Sequence, residues 1–367
     1  MKQNRIILFG PSLHTGGGTE RVLVNLANEL YEKGYDVTIL TNISGGNKMF
    51  KLNDSIKAVT YWFGKLRSTN PENFLLKVLN KLFGGILLRI FLSKYAGTTK
   101  HLIISFSASI TNDCFKTKFR DSLLSFEHYP YWAYDKHVEA QRQIRTNYPK
   151  LKKVIVLTEH EKNTYEKLGC NVIKIPNTYP FCPPIPAGLT SKKVLSVGHF
   201  NDAKRRDLLI EAWSYVHNIH PDWELTIVGD GPHKDECVKM ISDLGLSQSI
   251  KIVGPTDQIE KYYSDSSVFV LSSEFESFSL VLLEAKISGL PCVSFDIICG
   301  PDELINEAED GFLIPFPDTK LMSEKICTLI EDSDLRKKMG SAGRSDALKR
   351  YNPETIYRIW DDFLSSY

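Results

Sequence analysis

Two glutamates eight positions apart, Glu276 and Glu284, stand in the otherwise apolar stretch EFESFSLVLLEAKISGLP at residues 274–291. A helix expected from about Ser279 to Gly289 leaves the first in the entry loop and the second about a turn and a half inside. They therefore cannot form an i, i+4 pair. Backbone N–H groups at such a helix start favour phosphate, and a carboxylate on either side accepts hydrogen bonds from hydroxyls, as a sugar nucleotide requires. The structural alternative is that Glu276 caps the helix and Glu284 bonds a neighbouring loop.

Three cations, Lys204, Arg205 and Arg206, follow soon after a short apolar run that ends at Gly198. In open α/β sheets ligands bind beyond the carboxyl ends of the strands, and adjacent cations there can neutralise a diphosphate. A solvated helix start is the alternative, but cations oppose the helix dipole at that end unless an anion is bound. The pattern favours an anion site.

A third loop carries Gly16, Gly17 and Gly18 immediately before a helix that is expected from about Thr19 to Glu32. Glycines let backbone N–H groups approach a ligand closely, and a helix N-terminus favours negative charge. The spacing fits neither the G-x-G-x-x-G of dinucleotide enzymes nor a P-loop, which ends in G-K-S/T. Taken alone, the triplet is equally typical of a flexible loop.

Short Val/Ile/Leu-rich runs alternate with longer amphipathic ones along the whole chain, and this alternation predicts parallel sheets covered by helices. In the first half the strand-like runs are residues 5–10, 35–41, 101–107, 122–128 and 153–158. In the second half they are 192–198, 224–231, 250–254, 267–273 and 291–295, with helices near 206–219 and 234–244. The expected fold class is α/β, with two Rossmann-like, doubly wound parallel-sheet domains.

A proline-rich segment separates the two halves, because residues 176–191 hold five prolines and cannot continue a regular element. At 367 residues the chain exceeds the size at which one core keeps growing, so two domains with a cleft between them are expected. We place the N-terminal domain at 1–180 and the C-terminal domain at 181–350. Residues 351–367 predict a closing amphipathic helix with Pro353 at its first position, packing back toward the N-terminal domain.

The amino-acid composition argues against several classes of protein. Lysine plus arginine (45) nearly balances aspartate plus glutamate (44), so no nucleic-acid partner is expected. The cysteines are odd in number and scattered, which suggests neither a disulfide framework nor a zinc site and fits a reducing cytoplasm. The N-terminal run at 5–10 is too short for the core of a signal peptide and is expected to be the first strand.

The stretch FLLKVLNKLFGGILLRIFLSK at 74–94 is the most apolar, but Lys77, Lys81, Arg89 and Lys94 interrupt it. This pattern suits a helix lying on an anionic membrane surface. A core helix, or a helical hairpin broken near its central glycine pair, is equally compatible with it. No stretch reaches the length of a membrane-spanning helix.

Taken together, the motifs resemble the retaining glycosyltransferases of family 4, whose GT-B architecture has two Rossmann-like halves and E-x7-E in the second. The resemblance covers nearly the whole chain, and the order and spacing of its motifs are highly specific. Those motifs are TGGGTER (15–21), FEH (126–128), VLTE (156–159), IPN (175–177), VGHF to Lys204 (197–204), VGDGP (228–232), Glu276 to Glu284, SGLP (288–291) and GPDELI (300–305).

The resemblance implies roles for individual side chains. Lys204 matches the pyrophosphate-binding lysine, with Arg205 beside it able to assist. Glu276 matches the glutamate that contacts the transferred sugar, Glu284 the one that holds the ribose hydroxyls, and His128 a histidine facing the reacting sugar or acceptor. Lys204, Glu276 and His128 are therefore the expected catalytic residues.

The remaining donor-binding residues are implied through their backbones. Gly17 and Gly18 match the N-domain loop that closes over the diphosphate. Phe278, Ser279 and Leu280 match the backbone that meets the sugar and phosphates. The base is expected against Gly254, Pro255 and Thr256.

Two departures from the family pattern bear on the donor. His199 stands where family members commonly have arginine, so a fixed cation is replaced by a titratable one. Donor affinity is then expected to depend on Lys204 and Arg205. Serines at 277 and 279 replace two glycines near the sugar, so donor-sugar preference cannot be transferred from the family.

The implied reaction is transfer of a hexosyl or N-acetylhexosaminyl group from a UDP-sugar to a glycan hydroxyl, with retention at the anomeric carbon. Lys204, Arg205 and a helix N-terminus would stabilise the leaving diphosphate, so neither a metal nor another cofactor is expected. A front-face route and double displacement both remain open. GDP-mannose is the alternative donor, and a sugar-nucleotide epimerase or a non-catalytic binding partner is the alternative class.

The acceptor implied by FEH and GPDELI is a lipid-linked oligosaccharide in surface polysaccharide biosynthesis. Residues 74–94 would then bind the inner face of the cell membrane peripherally. The protein is otherwise expected to be cytoplasmic.

Overall fold

The computed structural model describes residues 5–14, 16–43, 50–61, 74–96, 100–134 and 137–367. Contacts between residues divide the chain into two compact units. The first comprises residues 1–176 and 354–367, and the second comprises residues 177–353.

The first unit is built on a seven-stranded parallel sheet with the order β3-β2-β1-β4-β5-β6-β7. Its strands are β1 (Arg5–Gly10), β2 (Asp36–Thr41), β3 (Lys57–Thr60), β4 (His101–Ser105), β5 (Leu123–Phe126), β6 (Lys153–Val156) and β7 (Val172–Lys174). Because β2 and β4 both pair with β1, the direction of strand order reverses at β1, which makes this a doubly wound sheet.

Helices connect these parallel strands, as the crossover between two parallel strands requires. In the first unit they are α1 (Gly18–Glu32), α2 (Phe74–Ala96), α3 (Ala108–Phe115), α4 (Val138–Asn147) and α5 (Glu159–Lys167). The first-unit core joins buried residues of β1, β4, β5 and β6 to the inner faces of α2, α3 and α4, with Phe9, Ile103, Leu123 and Val154 at its centre.

The second unit has a six-stranded parallel sheet with the order β10-β9-β8-β11-β12-β13. Its strands are β8 (Lys193–Val197), β9 (Glu224–Val228), β10 (Ile250–Val253), β11 (Val268–Leu271), β12 (Cys292–Asp296) and β13 (Gly311–Pro315). Its helices are α6 (Arg206–Ile219), α7 (Lys234–Asp243), α8 (Ile259–Ser264), α9 (Leu280–Ile287), α10 (Pro301–Leu304), α11 (Thr319–Glu331) and α12 (Ser333–Arg350). Trp213 of α6 is fully buried at the centre of this core.

The last helix, α13 (Pro353–Ser365), packs on the first unit. The buried Trp360 ring meets Phe126 edge-on at a centroid distance of 5.2 Å. The Tyr35 hydroxyl donates a 2.7 Å hydrogen bond to Asp361. The strongly amphipathic sequence of this helix thus buries its apolar side against β5.

The structure corrects one expectation for residues 74–94, because α2 is continuous across Gly84 and Gly85 and forms no hairpin. Glycine in a helix costs only about 1 kcal/mol relative to alanine, and Leu88 and Leu92 on the inner face are buried. Among the side chains described for α2, those of Phe83, Ile86 and Ile90 are exposed. The side chains of Lys77 and Lys81 lie outside the described residues.

Candidate functional site

The carboxyl edge of the second sheet is the place where the fold positions a ligand. Because β8 pairs with β9 on one side and β11 on the other, the strand order reverses at β8, and the loops after these strands diverge from a common crevice. The loops that follow β8, β10 and β11 carry the predicted donor-binding residues of this unit.

The loop after β8 approaches the loop after β9 so closely that glycines are required. A β-carbon on Gly229, whose φ is +153°, would lie 2.1 Å from the carbonyl oxygen of Gly198. The Gly229 position therefore admits no side chain. The Phe200 N–H donates to the Asp230 carbonyl at 3.0 Å, which holds the two loops together.

Lys204 ends a short 3₁₀ turn, Asp202–Lys204, which the Asn201 side chain caps by accepting from the Lys204 N–H at 3.2 Å. The Ser272 hydroxyl donates to the Lys204 carbonyl at 2.7 Å, and the Glu274 N–H donates to the Ala203 carbonyl at 2.8 Å. The backbone of the lysine is therefore fixed to the loop after β11.

The Lys204 ammonium forms an ion pair with the Glu276 carboxylate, with Nζ 2.6 Å from Oε1. The Ser273 hydroxyl donates to the same oxygen at 2.8 Å. The two side chains are 20% and 10% exposed, so the pair is largely shielded but reachable from solvent. The interpretation of Glu276 as a helix cap is wrong, because α9 has no side-chain cap and the carboxylate instead pairs with the lysine.

Ser279 precedes α9 in the left-handed region, with φ of 67°. This conformation is uncommon for a residue other than glycine and is a local strain that the surroundings must hold. Phe278 is buried and meets the Tyr351 ring edge-on at 5.5 Å, which anchors the turn. The first backbone N–H groups of the helix, from Leu280 onward, are thereby available to an anion.

Glu284 lies inside α9 and is buried. Its Oε2 accepts a 2.8 Å hydrogen bond from the Tyr263 hydroxyl of α8. The predicted base-binding residues Gly254, Pro255 and Thr256 directly follow β10, so they occupy the same edge of the sheet. The Thr256 hydroxyl accepts from the Gln258 N–H at 3.0 Å, which tightens the turn into α8.

Two arginines follow Lys204, and the structure uses them differently. Arg205 adopts the left-handed conformation, with φ of 43°, and its guanidinium reaches Asp207 at 2.7 Å and Glu274 at 3.4 Å. Arg206 turns inward, and its Nη1 donates to the Ser196 hydroxyl at 2.6 Å. Arg206 was among the predicted cations but not among the predicted site residues, because nothing in the sequence distinguishes an inward from an outward arginine at a helix start.

A lysine inside α9 links the segments that surround the candidate site. Lys286 is fully buried, and its Nζ lies 2.9 Å from both Asp310 and Asp346. It also donates to the Leu304 carbonyl. These contacts tie α9 to α12 and to the segment that contains GPDELI, whose Gly300 packs against Glu276. This network carries no local sequence signal, since Asp310 and Asp346 lie 24 and 60 residues from Lys286.

In the first unit, Gly17 is the N-cap of α1, and its N–H donates to the Glu20 side chain at 3.1 Å. Gly17 is in extended backbone, and a β-carbon there would meet nothing within 4 Å. Gly18 is the first residue of the helix. This loop lies at the carboxyl edge of the first sheet, after β1, the strand at which the strand order reverses.

His128 follows β5, where its ring stacks on Phe106 at a centroid distance of 5.2 Å and contacts Phe126 at 4.1 Å. The residue keeps some exposure, but Nε2 is buried, and burial of the ring lowers the pKa of His128 to about 3. The imidazole is therefore neutral near pH 7. Such a ring can donate or accept a hydrogen bond but cannot supply a positive charge.

The preceding residue, Glu127, is buried and was not predicted as a site residue. Its Oε1 accepts from the Tyr148 hydroxyl at 2.7 Å and from the Ser125 hydroxyl. Burial raises the pKa of Glu127 above its usual value. Burial also raises the pKa of the neighbouring Glu161 to about 7, and the hydrogen bond from the Tyr131 N–H partly opposes this rise.

The described residues contain no group of three or more His, Cys, Asp or Glu side chains arranged to hold a metal ion. The D-x-D sequence at 332–334 is a helix cap, since Asp332 accepts from the N–H groups of Asp334 and Leu335 at 3.0 and 2.8 Å. Among the same residues, none of the helices has the length and apolarity needed to cross a membrane.

Comparison with known proteins finds that the chain is similar to glycosyltransferases. Residues 184–346, which carry the whole predicted donor site of the second unit, match the family model "Glycosyl transferases group 1". The chain is 28% identical to the amylovoran biosynthesis glycosyltransferase AmsD of Erwinia amylovora, over 98% of this chain and 99% of the relative. It is 24% identical to a Campylobacter jejuni alpha-1,4-N-acetyl-D-galactosaminyltransferase named for a diNAcBac-PP-undecaprenol-linked glycan, over 88% of each chain.

Solved structures show the fold. A crystal structure of TarM superposes with a TM-score of 0.84 at 19% identity, covering 99% of this chain and 98% of TarM. A mutant of Staphylococcus aureus TarM, crystallised in complex with Fondaparinux, alpha-GlcNAc-glycerol and UDP, superposes with a TM-score of 0.81 at 18% identity. The expected GT-B fold is thus confirmed. The match of residues 184–346 to the Glycosyl transferases group 1 model indicates a glycosyltransferase domain in the second unit.

Proposed function

We propose that the protein is a retaining glycosyltransferase that moves a hexosyl or N-acetylhexosaminyl group from a UDP-sugar to a hydroxyl of a lipid-linked glycan. The observation that carries this proposal is the Lys204–Glu276 pair, held at 2.6 Å at the carboxyl edge of the second sheet, before the N-terminus of α9. A cation that can bind the diphosphate is thereby in contact with a carboxylate that can bind the sugar.

In the front-face form of the proposed reaction, the acceptor hydroxyl oxygen bonds to the anomeric carbon as the bond between that carbon and the diphosphate oxygen breaks. The electron pair of the broken bond leaves on the diphosphate oxygen, and the leaving diphosphate takes the acceptor hydroxyl proton. Lys204 and the N–H groups of α9 stabilise the anion that forms, which is electrostatic catalysis of the leaving group. These charges can serve without a metal ion or another cofactor. Glu276 contacts the transferred sugar, Glu284 accepts from the ribose hydroxyls, and neutral His128 offers a hydrogen bond to the sugar or acceptor.

The choice of UDP rests on the likeness to TarM, which was crystallised with UDP, and the choice of acceptor on the Campylobacter relative named for an undecaprenol-linked glycan. AmsD is named for the biosynthesis of a polysaccharide, amylovoran. GDP-mannose is the alternative donor for the same architecture.

The test is isothermal titration of UDP, GDP and ADP into the full chain and into Glu284→Ala and Lys204→Ala. We expect UDP alone to bind, with each substitution weakening it by about 1–3 kcal/mol for a lost charged hydrogen bond. Binding of GDP instead would favour the mannosyl donor. Binding of no nucleotide would favour a non-catalytic role, and conversion of a UDP-sugar without an acceptor would indicate an epimerase.

We further propose that α2 holds the protein on the inner face of the cell membrane. Phe83, Ile86 and Ile90 are 48%, 57% and 64% exposed and lie on one helix face, with the exposed cation Arg89 beside them. Apolar side chains flanked by cations suit the surface of an anionic bilayer.

Vesicle flotation tests this membrane contact. The chain should float with phosphatidylglycerol vesicles more than with phosphatidylcholine vesicles, and Ile86→Ser with Ile90→Ser should abolish the difference. Ile219→Ser is the matched control, because Ile219 is 62% exposed on α6 of the other unit. Equal flotation of all variants would exclude the role of α2.

A further inference from the structure

Among the described residues, none forms an ion pair with one buried arginine of the second unit. Arg206, the first residue of α6, is 3% exposed. Its Nη1 donates to the Ser196 hydroxyl, but Nε and Nη2 have no hydrogen-bond partner within the described part of the chain. The guanidinium also lies over the Phe200 ring, 5.7 Å from its centroid.

This arrangement is costly in the unliganded protein. A buried ionised group without full hydrogen bonding loses hydration that the fold does not replace. The nearby carboxylate Glu276 interacts with Arg206 electrostatically but hydrogen-bonds Lys204 and Ser273. Burial lowers the pKa of Arg206 to about 10, so the charge persists at pH 7.

The guanidinium lies at the point where the sheet places ligands. A β-carbon built on Gly198, at the end of the central strand β8, would lie 3.0 Å from Nη2 of Arg206 and 3.7 Å from Cε of Lys204. The two cations therefore flank the same glycine. His199, the next residue, directs its Nδ1 to the Asp230 carbonyl at 3.2 Å.

A second buried arginine of the same unit shows what a structural arginine looks like. Arg336 donates from Nε, Nη1 and Nη2 to the carbonyls of Leu189, Leu329 and Ile330. All three of its nitrogens are satisfied, whereas two of the three in Arg206 are not. Arg336 therefore stabilises the fold, whereas Arg206 has N–H groups that can donate to a ligand.

We propose that Arg206 supplies the second fixed positive charge for the donor diphosphate, in place of the arginine that the family pattern commonly has where this chain has His199. This inference rests on the proposed function, which it deepens by naming a specificity residue for a diphosphate over a monophosphate. A diphosphate oxygen beside Gly198 would accept the unpaired N–H groups through charge-assisted hydrogen bonds.

The experiment compares Arg206→Met, Arg206→Lys and Arg336→Met in the full chain. Calorimetric titration with inorganic pyrophosphate, UDP and UMP gives affinity, and urea denaturation gives stability. For Arg206→Met we expect affinity for pyrophosphate and UDP to fall about tenfold or more, a smaller loss for UMP, and an unchanged or higher urea midpoint. Arg206→Lys should restore part of the affinity.

Arg336→Met should show the opposite pattern, with a lower urea midpoint and unchanged diphosphate affinity. If it does not fold, Arg336→Lys takes its place. Equal pyrophosphate and UDP affinity in wild type and Arg206→Met would overturn the inference and leave the proposed function intact. Arg206-dependent binding of pyrophosphate without any nucleotide would support the inference and contradict the proposed function. Failure of wild type to bind pyrophosphate or UDP would overturn both.

Discussion

Lys204 and Glu276 are 72 residues apart in the chain, yet Nζ of the lysine lies 2.6 Å from Oε1 of the glutamate. The pair joins the turn after β8 to the loop after β11, the two strands on either side of the ligand crevice. In the absence of a donor, the carboxylate thus neutralises the cation that is proposed to bind the diphosphate. A donor that binds as proposed would have to compete with Glu276 for Lys204.

Glu276→Gln should therefore tighten UDP binding while slowing sugar transfer. Removing the competing carboxylate frees Lys204, and a partly exposed ion pair is worth on the order of 1 kcal/mol, or about fivefold in affinity. Transfer should fall roughly 10²-fold, since the sugar loses a preorganised charged contact. Titration calorimetry and a transfer assay measure the two effects. In Glu276→Gln with Lys204→Ala the gain in affinity must disappear, and weaker UDP binding by the single variant would contradict the argument.

Gly300→Ala should misplace Glu276. Gly300 has φ of +106°, and a β-carbon there would lie 2.9 Å from the β-carbon of Glu276. Backbone strain of this kind costs about 1–3 kcal/mol, and we expect a further loss of transfer activity because the carboxylate shifts. Gly245→Ala is the control, since Gly245 has φ of +70° but its β-carbon would meet nothing within 4 Å. It should lower the urea midpoint without slowing transfer, and equal effects on transfer would show that strain alone is responsible.

Lys286→Met should destabilise the second unit by about 3–5 kcal/mol, because it leaves Asp310 and Asp346 without their buried cation. Urea denaturation measures the change. Adding Asp310→Asn to Lys286→Met should recover part of the loss, as neighbouring sites in one network are not additive. If Lys286→Met alone lowers the free energy of unfolding by less than about 1 kcal/mol, the network contributes no more than an exposed ion pair does.

His128 should make the stability of the first unit depend on pH. Its pKa falls from 6.5 to about 3 on folding, so the unfolded chain binds the extra proton first. The stability contributed by the neutral ring is fully present above pH 6.5 and is lost as the pH falls from 6.5 toward 3. Thermal unfolding of wild type and His128→Phe across pH 4–8 isolates this contribution. Parallel pH profiles would show that the ring is solvated in the folded protein.

The strand–helix alternation and the edge that carries the candidate site could be predicted from the sequence, because apolar runs such as VLSV before Gly198 and VFVL before Ser272 are strong local signals. β3 and β7 were missed because they are short, and β3 begins with the exposed Lys57 and Ala58. β13, with its apolar GFLIP, was missed although its sequence carries the signal.

Side-chain direction could not be predicted. Arg205 and Arg206 are adjacent and chemically identical, but the left-handed backbone of Arg205 sends one toward Asp207 and the other inward to Ser196. The pairing of Lys204 with Glu276 likewise depends on which strands are neighbours, and this order is not a local property of the sequence.

The return of α13 to the first unit has a consequence for synthesis on the ribosome. Trp360, whose ring meets Phe126 edge-on, is translated after all of residues 177–353. The Phe126 ring of the nascent first unit therefore lacks this contact while the second unit emerges and folds. During that interval the apolar surface around Phe126 can bind chaperones that recognise exposed apolar chain.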